Sequence, residues 1–240
     1  MTITGATNAT SVSARRRPIS RWLPIGCGLR EDTLALQQKY RLGITSASTI
    51  GTAVAHFPTL TNRIRAVNAQ SLAELETMAI GIIEIPCEAL SYNLESGSPA
   101  GEVADPPAAV LEARAIADAY GRDLMLAMGG QLADTWYADW ATMAASCDYW
   151  MIQAQRQQVD PPGMTFRGEV EWRVNELRSY GPLVCAQLSV TPGPSELTAA
   201  EVLNYIRWLS RLRIRAISIY DGLDPNKPLT LTAVLNRIYG

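Results

Sequence analysis

Two acidic residues, Glu95 and Asp221, follow short apolar runs of the sequence and can form a catalytic pair. One protonated carboxyl group and one carboxylate are what hydrolysis of a glycosidic bond requires. Together with a tyrosine such as Tyr92 or Tyr220, the same pair can instead abstract a proton in a lyase or an isomerase. A structural role stays open for each, since Glu95 can be a solvated loop residue and Asp221 can begin an Asp-Gly turn.

Carboxamide side chains recur at the ends of apolar runs that have the length of strands. The alternation of a strand places Gln153 and Gln155 on one face, and Gln187 occupies the same kind of position in a later run. Such groups can hydrogen-bond a polar, neutral small molecule from several sides, or they can satisfy one another inside a buried layer. The predicted substrate-binding residues are Tyr92, Asn93, Gln131, Gln153, Gln155, Gln187 and Tyr220.

These residues belong to a chain in which apolar runs alternate with segments of helical period. The predicted strands are residues 22–27, 42–47, 63–68, 80–86, 123–129, 148–155, 182–190 and 215–221. The clearest predicted helices are residues 107–120, 135–145, 164–180, 195–212 and 229–238. Gly121 and Gly181 stand where two of these helices must stop before a strand begins. The alternation is typical of βα units around a parallel sheet.

Eight such units in about 220 residues predict a compact α/β fold, a (β/α)8 TIM barrel. We expect a flexible tail at 1–18, which is rich in Ser, Thr and Ala, and one barrel domain at 19–240. A doubly wound sheet is the alternative, although IGCG at 25–28 supplies only a fragment of a dinucleotide-binding turn. In a barrel, residues at the carboxyl ends of the strands form the active site.

The amino-acid composition argues against several classes of binding partner. The net charge of −2 and the pI of about 5.5 argue against nucleic acid, and no apolar window reaches the length of a membrane span. Arg21 interrupts the apolar stretch that a secretory signal needs, which favours the cytoplasm. A single histidine, His56, and four scattered cysteines predict neither a metal site nor a cofactor. The expected partner is a small-molecule substrate.

Four short motifs stand at predicted strand ends: YNLE at 92–95, ADP at 104–106, IQAQ at 152–155 and AQLSVTPG at 186–193. With the eight-strand pattern, they resemble bacterial (β/α)8-barrel proteins related to glycoside hydrolases, many of them uncharacterised. The resemblance covers about Gly81 to Asp221 and implies an acid/base role for Glu95. The largest clan of these hydrolases carries adjacent Asn and Glu at strand four, whereas Leu94 separates Asn93 from Glu95 here.

The sequence leaves two classes of function open. The first is a metal-independent barrel enzyme acting on a sugar-like or oxygenated small molecule, either a hydrolase or a lyase or isomerase derived from one. The second is a non-catalytic ligand-binding or assembly protein, suggested because Gln187 stands where the resemblance implies a nucleophilic glutamate, and because Trp136, Trp140 and Trp150 are close in sequence. These tryptophans can instead pack helices against the barrel. A phosphate site in the loops at 191–196 and 221–228 is a third, weaker alternative.

Overall fold

Eight parallel strands close into a barrel in which each strand pairs with its neighbours in chain order and β1 pairs with β8. The computed structural model describes residues 25–28, 31–40, 42–61, 64–155, 157–158, 164–191, 197–220 and 228–239. The strands are β1 Ile25–Gly28, β2 Ile44–Ala47, β3 Ile64–Ala69, β4 Ala89–Leu94, β5 Asp123–Met128, β6 Tyr149–Gln153, β7 Leu183–Ser189 and β8 Ala216–Tyr220. The closed barrel confirms the predicted fold class and excludes the doubly wound sheet.

Helices follow the strands around the outside of the barrel. They are α1 Glu31–Tyr40, α2 Ile50–His56, α3 Leu72–Gly81, α4 Ala100–Ala104, α5 Pro106–Ala119, α6 Gly130–Thr135, α7 Trp140–Ala145, α8 Met164–Ser179, α9 Ala199–Leu209 and α10 Pro228–Tyr239. Short 3₁₀ turns lie at Phe57–Thr59, Tyr137–Asp139 and Ser210–Leu212. Across the described residues, no helix combines the length and the apolar character that a membrane crossing requires.

Alternation along the strands divides the apolar side chains into two layers. Those that point outward, such as Leu90, Leu126 and Ile217, are fully buried against the helices. Those that point inward, such as Met125 and Met151, form a smaller cluster inside the barrel. Because both faces of each strand are buried, the strands of a parallel sheet appear in the sequence as continuous apolar runs.

Local signals account for where several helices begin and end. The Asp105 carboxylate accepts a hydrogen bond from the Ala108 N–H, which caps α5 just before Pro106. Gly121 and Gly181 have φ angles of 61° and 112°, in the left-handed region, so the predicted stops after α5 and α8 are confirmed. Helix α9 begins at Ala199, later than predicted, because Thr198 and Glu201 form a reciprocal capping box.

The predicted fourth strand at 80–86 is wrong. Its first two residues, Ile80 and Gly81, end helix α3, and the rest form a turn; Ile80 is 57% exposed in the helix end and Ile83 is 63% exposed in the turn. The real strand, β4, begins nine residues later at Ala89. The run at 80–86 is more apolar than β4, whose inward positions carry Ser91 and Asn93, so hydrophobicity alone favoured the wrong segment. The predicted tail at 1–18 lies outside the described residues.

An ion pair ties β3 to the residue before β4 at the amino-terminal end of the barrel. The Glu88 carboxylate accepts hydrogen bonds from the Arg65 backbone N–H at 2.7 Å and from its Nε at 3.0 Å, and Arg65 Nη2 contacts the second oxygen. Burial alone would raise the pKa of Glu88, but the hydrogen bonds and charge of Arg65 lower the pKa below its usual value. Glu88 therefore stabilises the fold in its ionised form.

We expect Glu88→Gln to lower the free energy of unfolding by about 1–2 kcal/mol at pH 7, because a charged, partly exposed hydrogen-bonding group is lost. Since the folded pKa is depressed, the difference is fully present above the unfolded value of about 4.3 and shrinks as pH falls through the folded pKa of Glu88. Urea unfolding between pH 7 and pH 3 measures it. Glu84→Gln, at an exposed position of the preceding turn, is the control. A pH-independent difference contradicts the assignment.

Candidate active site

A cavity of about 500 Å³ opens at the carboxyl ends of the strands, and all eight strands contribute to its lining. Its floor is apolar and includes Ile44, Met125 and Met151. Its upper wall is polar and uncharged apart from one carboxylate, that of Glu95, as far as the described part of the lining goes. A concave site of this volume with convergent polar groups is the usual form of a small-molecule site.

The Glu95 carboxylate is held on one of its two oxygens. Glu95 Oε1 accepts hydrogen bonds from Asn93 Nδ2 at 3.0 Å and from Gln153 Nε2 at 3.1 Å. Gln153 Nε2 also donates to Asn93 Oδ1 at 2.8 Å, so the three side chains form a closed set. No side chain of the described residues bonds Glu95 Oε2, which leaves this oxygen available to a ligand.

The backbone around Glu95 is fixed by the strand end and by the next loop. The Leu94 carbonyl accepts a hydrogen bond from the Gly129 N–H at 2.9 Å, which extends the pairing of β4 with β5 past the last strand residue. The Glu95 N–H donates to Ser98 Oγ at 3.1 Å, and the Ser98 N–H donates to the Glu95 carbonyl at 3.0 Å. Glu95 is therefore a half-buried residue in a tight turn and not a free loop carboxylate.

A second carboxamide pair lies beside the first. Gln155 Nε2 donates to Gln187 Oε1 at 2.6 Å, which joins the segment after β6 to β7. Gln155 and Gln187 thus satisfy part of each other's hydrogen bonding, as the structural interpretation of these glutamines predicts. Both are only half-buried and line the cavity, so their remaining polar atoms can still meet a ligand.

The segment after β6 is clamped to β7 by a buried glutamine. The Gln158 amide donates to the Ser189 carbonyl at 3.1 Å, and Gln158 Oε1 accepts from the Ser189 N–H at 2.7 Å. Next to it, Gln157 Nε2 donates to Glu169 Oε1 at 2.7 Å, and Glu169 pairs with Arg173 of α8. These contacts attach the segment that follows Gln155 to β7 and to α8.

The structure brings most of the predicted site residues together. Those that line the cavity are Asn93, Glu95, Gln153, Gln155, Gln187 and Tyr220. Asp221, the second predicted catalytic residue, lies outside the described residues. So do Gly193, Gly222 and Lys227, which belong to the two loops of the phosphate alternative.

Two predicted binding residues are not in the cavity lining. Tyr92 points outward from β4 because it alternates with Ser91 and Asn93, and its hydroxyl donates to Glu102 Oε2 at 2.6 Å. Burial and this hydrogen bond raise the pKa of Tyr92 above its ordinary value. Gln131 is an exposed residue of α6. Neither side chain is among the described residues that line the cavity, so the structure does not bring Tyr92 and Gln131 together with the other predicted binding residues.

Small residues of the lining were missed in the sequence. Ser46, Asn68, Ser91 and Ser218 occupy inward positions of β2, β3, β4 and β8. The signal that identifies them is the same period-two alternation that identifies Gln153. Serine is common on strands and indicates no particular chemistry by itself. The wall opposite Glu95 was therefore not predicted from the sequence.

The four cysteines and the buried tryptophans Trp140 and Trp150 do not line the cavity. None of the four cysteines forms a disulfide, and all four are buried; burial raises the pKa of Cys87 to about 11 and that of Cys147 and Cys185 to about 12. Trp140 and Trp150 are 1% and 2% exposed and pack between barrel and helices, which is the packing role that the sequence left open. Among the described residues, no group of three or more His, Cys, Asp or Glu could hold a metal ion.

Comparisons with known proteins identify similar folds but no family for this chain. No protein-family model and no curated protein matches the chain. An endo-β-1,3-glucanase of family GH128 from Amycolatopsis mediterranei, solved with laminaripentaose, matches with a TM-score of 0.62 and 12% identity, over 90% of this chain and 99% of that one.

Two further solved structures belong to other reaction classes. A 3-keto-L-gulonate-6-phosphate decarboxylase from Vibrio cholerae matches with a TM-score of 0.55 and 9% identity, over 90% of this chain and 97% of that one. A deoxyribose-phosphate aldolase from Toxoplasma gondii, described as putative, matches with a TM-score of 0.52 and 9% identity, over 90% and 92%. At these identities the likeness defines a TIM barrel and nothing finer.

We expect Gln158→Ala to destabilise the protein by about 2 kcal/mol, because it leaves two buried backbone groups of Ser189 without partners. The Ser189 amide should also exchange its hydrogen faster than its neighbours in β7. Urea unfolding and amide exchange followed by NMR measure the two effects. Gln38→Ala, at an exposed position of α1, is the control and should change neither. An unchanged Ser189 exchange rate means that Gln158 does not clamp the segment.

Proposed function

We propose that this barrel is an enzyme that acts on a polar, sugar-like or oxygenated small molecule by acid/base catalysis. The observation that carries the proposal is the Glu95 carboxylate, held on Oε1 by Asn93 and Gln153 and open to the cavity on its other oxygen. A carboxyl group oriented in this way can transfer a proton to or from a bound hydroxyl or ether oxygen. Because the neutral amides of Asn93 and Gln153 hydrogen-bond Oε1, the proton is transferred to or from Oε2.

The residues around Glu95 suit a neutral substrate better than a charged one. Gln155, Gln187 and Tyr220 present amide and hydroxyl groups that can donate to or accept from sugar hydroxyls. Carbohydrate substrates also appear in the names of the three structural neighbours, a glucanase, a sugar-phosphate decarboxylase and a sugar-phosphate aldolase. Those names support a sugar-like substrate class and leave hydrolysis, elimination and isomerisation open.

The second catalytic group remains Asp221 in this proposal. Asp221 directly follows Tyr220 in the sequence, and Tyr220 lines the cavity at the end of β8; this adjacency supports the proposed role. A pair of carboxyl groups on opposite sides of one substrate is the arrangement that glycoside hydrolysis uses. We also propose a cytoplasmic location and a bacterial origin, on the composition and the resemblance already given.

A second candidate function is ligand binding without turnover. The observation in its favour is Gln187 on β7, a neutral amide at a strand end where a catalytic carboxylate is expected for a retaining hydrolase. In that case the carboxamides and Glu95 would only orient a bound polyol. The two candidates share a ligand class and differ in whether a product forms.

We expect Glu95→Gln to lower kcat by about 10²–10⁴-fold on a neutral glycoside or sugar that the wild type converts, because general acid/base catalysis is removed while the shape is kept. Steady-state kinetics with KM measured alongside kcat provide the readout, and Glu171→Gln, exposed on α8, is the matched control.

Equal turnover by Glu95→Gln and the wild type would overturn the catalytic role. Tight binding of a sugar by both proteins, with no product after long incubation, would instead favour the binding candidate. The two outcomes are separated by measuring product and bound ligand in the same samples.

A further inference from the structure

The wall of the cavity has two unlike halves. On the side of β4 to β7, long side chains fill the space and bond one another, as Asn93 with Gln153 and Gln155 with Gln187 do. On the side of β8 and β1 to β3, the inward positions near the mouth carry short residues. These are Ser218, Gly28, Ser46 and Asn68. The second half, defined by these four residues and called the open half below, is where free volume remains.

Several polar atoms of the open half make no hydrogen bond to the described residues. Ser46 and Ser218 line the cavity, and within the part of the chain that the structure describes, neither hydroxyl makes a hydrogen bond. Asn68 Oδ1 accepts from Ser91 Oγ at 3.1 Å, whereas its amide has no partner among the same residues. Hydroxyl and amide groups that converge on one space without pairing can hydrogen-bond a ligand.

The two inward glycines of β1 differ in what keeps them small. At Gly26, an added Cβ atom would lie 1.7 Å from the Ile44 carbonyl oxygen, so the packing of β1 on β2 requires glycine. At Gly28, an added Cβ atom would meet nothing within 4 Å, and its φ angle is not positive. Folding therefore does not demand a glycine at 28, and the space above it is available to something other than the protein.

An aromatic ring stands at the edge of this space. Cys27 pairs with Ile219, which places Tyr220 beside Gly28 at the ends of their strands. Tyr220 is 39% exposed and lines the cavity. A tyrosine ring next to unpaired hydroxyls offers an apolar face and polar contacts at once, the combination that a sugar ring with its C–H faces and equatorial hydroxyls can use.

We propose that the open half is a subsite for a neutral cyclic polyol such as a sugar ring, and that Gly28 determines which substituents fit there. The ring lies over Gly28 with Tyr220 along one face, and its hydroxyls bond Ser46, Asn68 and Ser218. The far side of the ring then faces Glu95. This inference rests on the proposed function, because it names the substrate class of the same cavity.

Charge selects against an anionic ligand at this subsite. Among the described lining residues there is no Lys or Arg, and the one charged group is the Glu95 carboxylate. A phosphate ester would have to bind near that carboxylate with no cation among the described lining residues to offset its charge, which is unfavourable in a partly enclosed site. A neutral sugar should therefore bind better than its own phosphate ester.

The test is calorimetric titration of the wild type and of Gly28→Leu with glucose, galactose, xylose, myo-inositol and laminaripentaose, and with glucose 6-phosphate as the charged counterpart of glucose. Gly51→Leu is the matched control, because Gly51 is exposed on α2 and an added Cβ atom there also meets nothing within 4 Å. We expect at least one neutral probe to bind the wild type, at least 10-fold weaker binding to Gly28→Leu, and unchanged binding to Gly51→Leu.

Three results would overturn the subsite: no neutral probe binds, Gly28→Leu binds as the wild type does, or glucose 6-phosphate binds more tightly than glucose. If circular dichroism shows that Gly28→Leu does not fold, Gly28→Ala replaces it, and we expect its affinity for the neutral probe to be lower by 2-fold or more. Glu95→Gln separates this inference from the proposed function. Polyol binding that Glu95→Gln retains and Gly28→Leu loses supports the subsite even when neither protein shows turnover.

Discussion

Closure of the parallel sheet, through the pairing of β1 with β8, is the constraint on which the rest of this molecule depends. Once the sheet is closed, each strand sends alternate side chains to one shared interior, and inward residues of all eight strands line one cavity. For this reason alone, residues as distant in sequence as Gly28, Asn93 and Ser218 line the same cavity. The site follows from register, since a shift of one residue would turn these side chains outward.

Charge is distributed unevenly along the barrel axis. The amino-terminal end carries ion pairs, among them Arg65 with Glu88 and Arg114 with Asp148. Arg122 adds hydrogen bonds to the carbonyls of the turn before β4, including that of Cys87 at 2.5 Å. At the opposite end the described lining is neutral except for Glu95. Strongly paired charges therefore stabilise one end, while hydrogen-bonding capacity is left unused at the other.

The sequence predicts those parts of the fold and of the cavity whose residues carry a local signal. Gly121 and Gly181 marked helix ends correctly because a left-handed residue at a helix terminus favours glycine. Gln153 and Gln187 were placed on the cavity wall by strand alternation. Strand β4 was misplaced, because its inward residues Ser91 and Asn93 serve the cavity and not the core, so the segment is less apolar than the helix end before it.

Other features depend on contacts that no local pattern encodes. Asn93 and Gln153 can both bind one oxygen of Glu95 only because β4, β5 and β6 pair side by side. This pairing brings Gln153 to Glu95, 58 positions away, and to Asn93, 60 positions away. The clamp of Gln158 on Ser189 spans 31 residues. The difference between Gly26 and Gly28 is visible only once the neighbouring strand is in place.

The central claim is that a neutral ligand binds at the strand ends with one of its oxygens against Glu95. A crystal structure of Glu95→Gln with the tightest-binding sugar tests it most directly. The account predicts a sugar oxygen at about 2.6–3.2 Å from the side-chain amide at position 95, the distance that direct proton transfer requires in the wild type. A sugar bound outside the barrel mouth, or inside it but beyond hydrogen-bond reach of residue 95, would contradict the account.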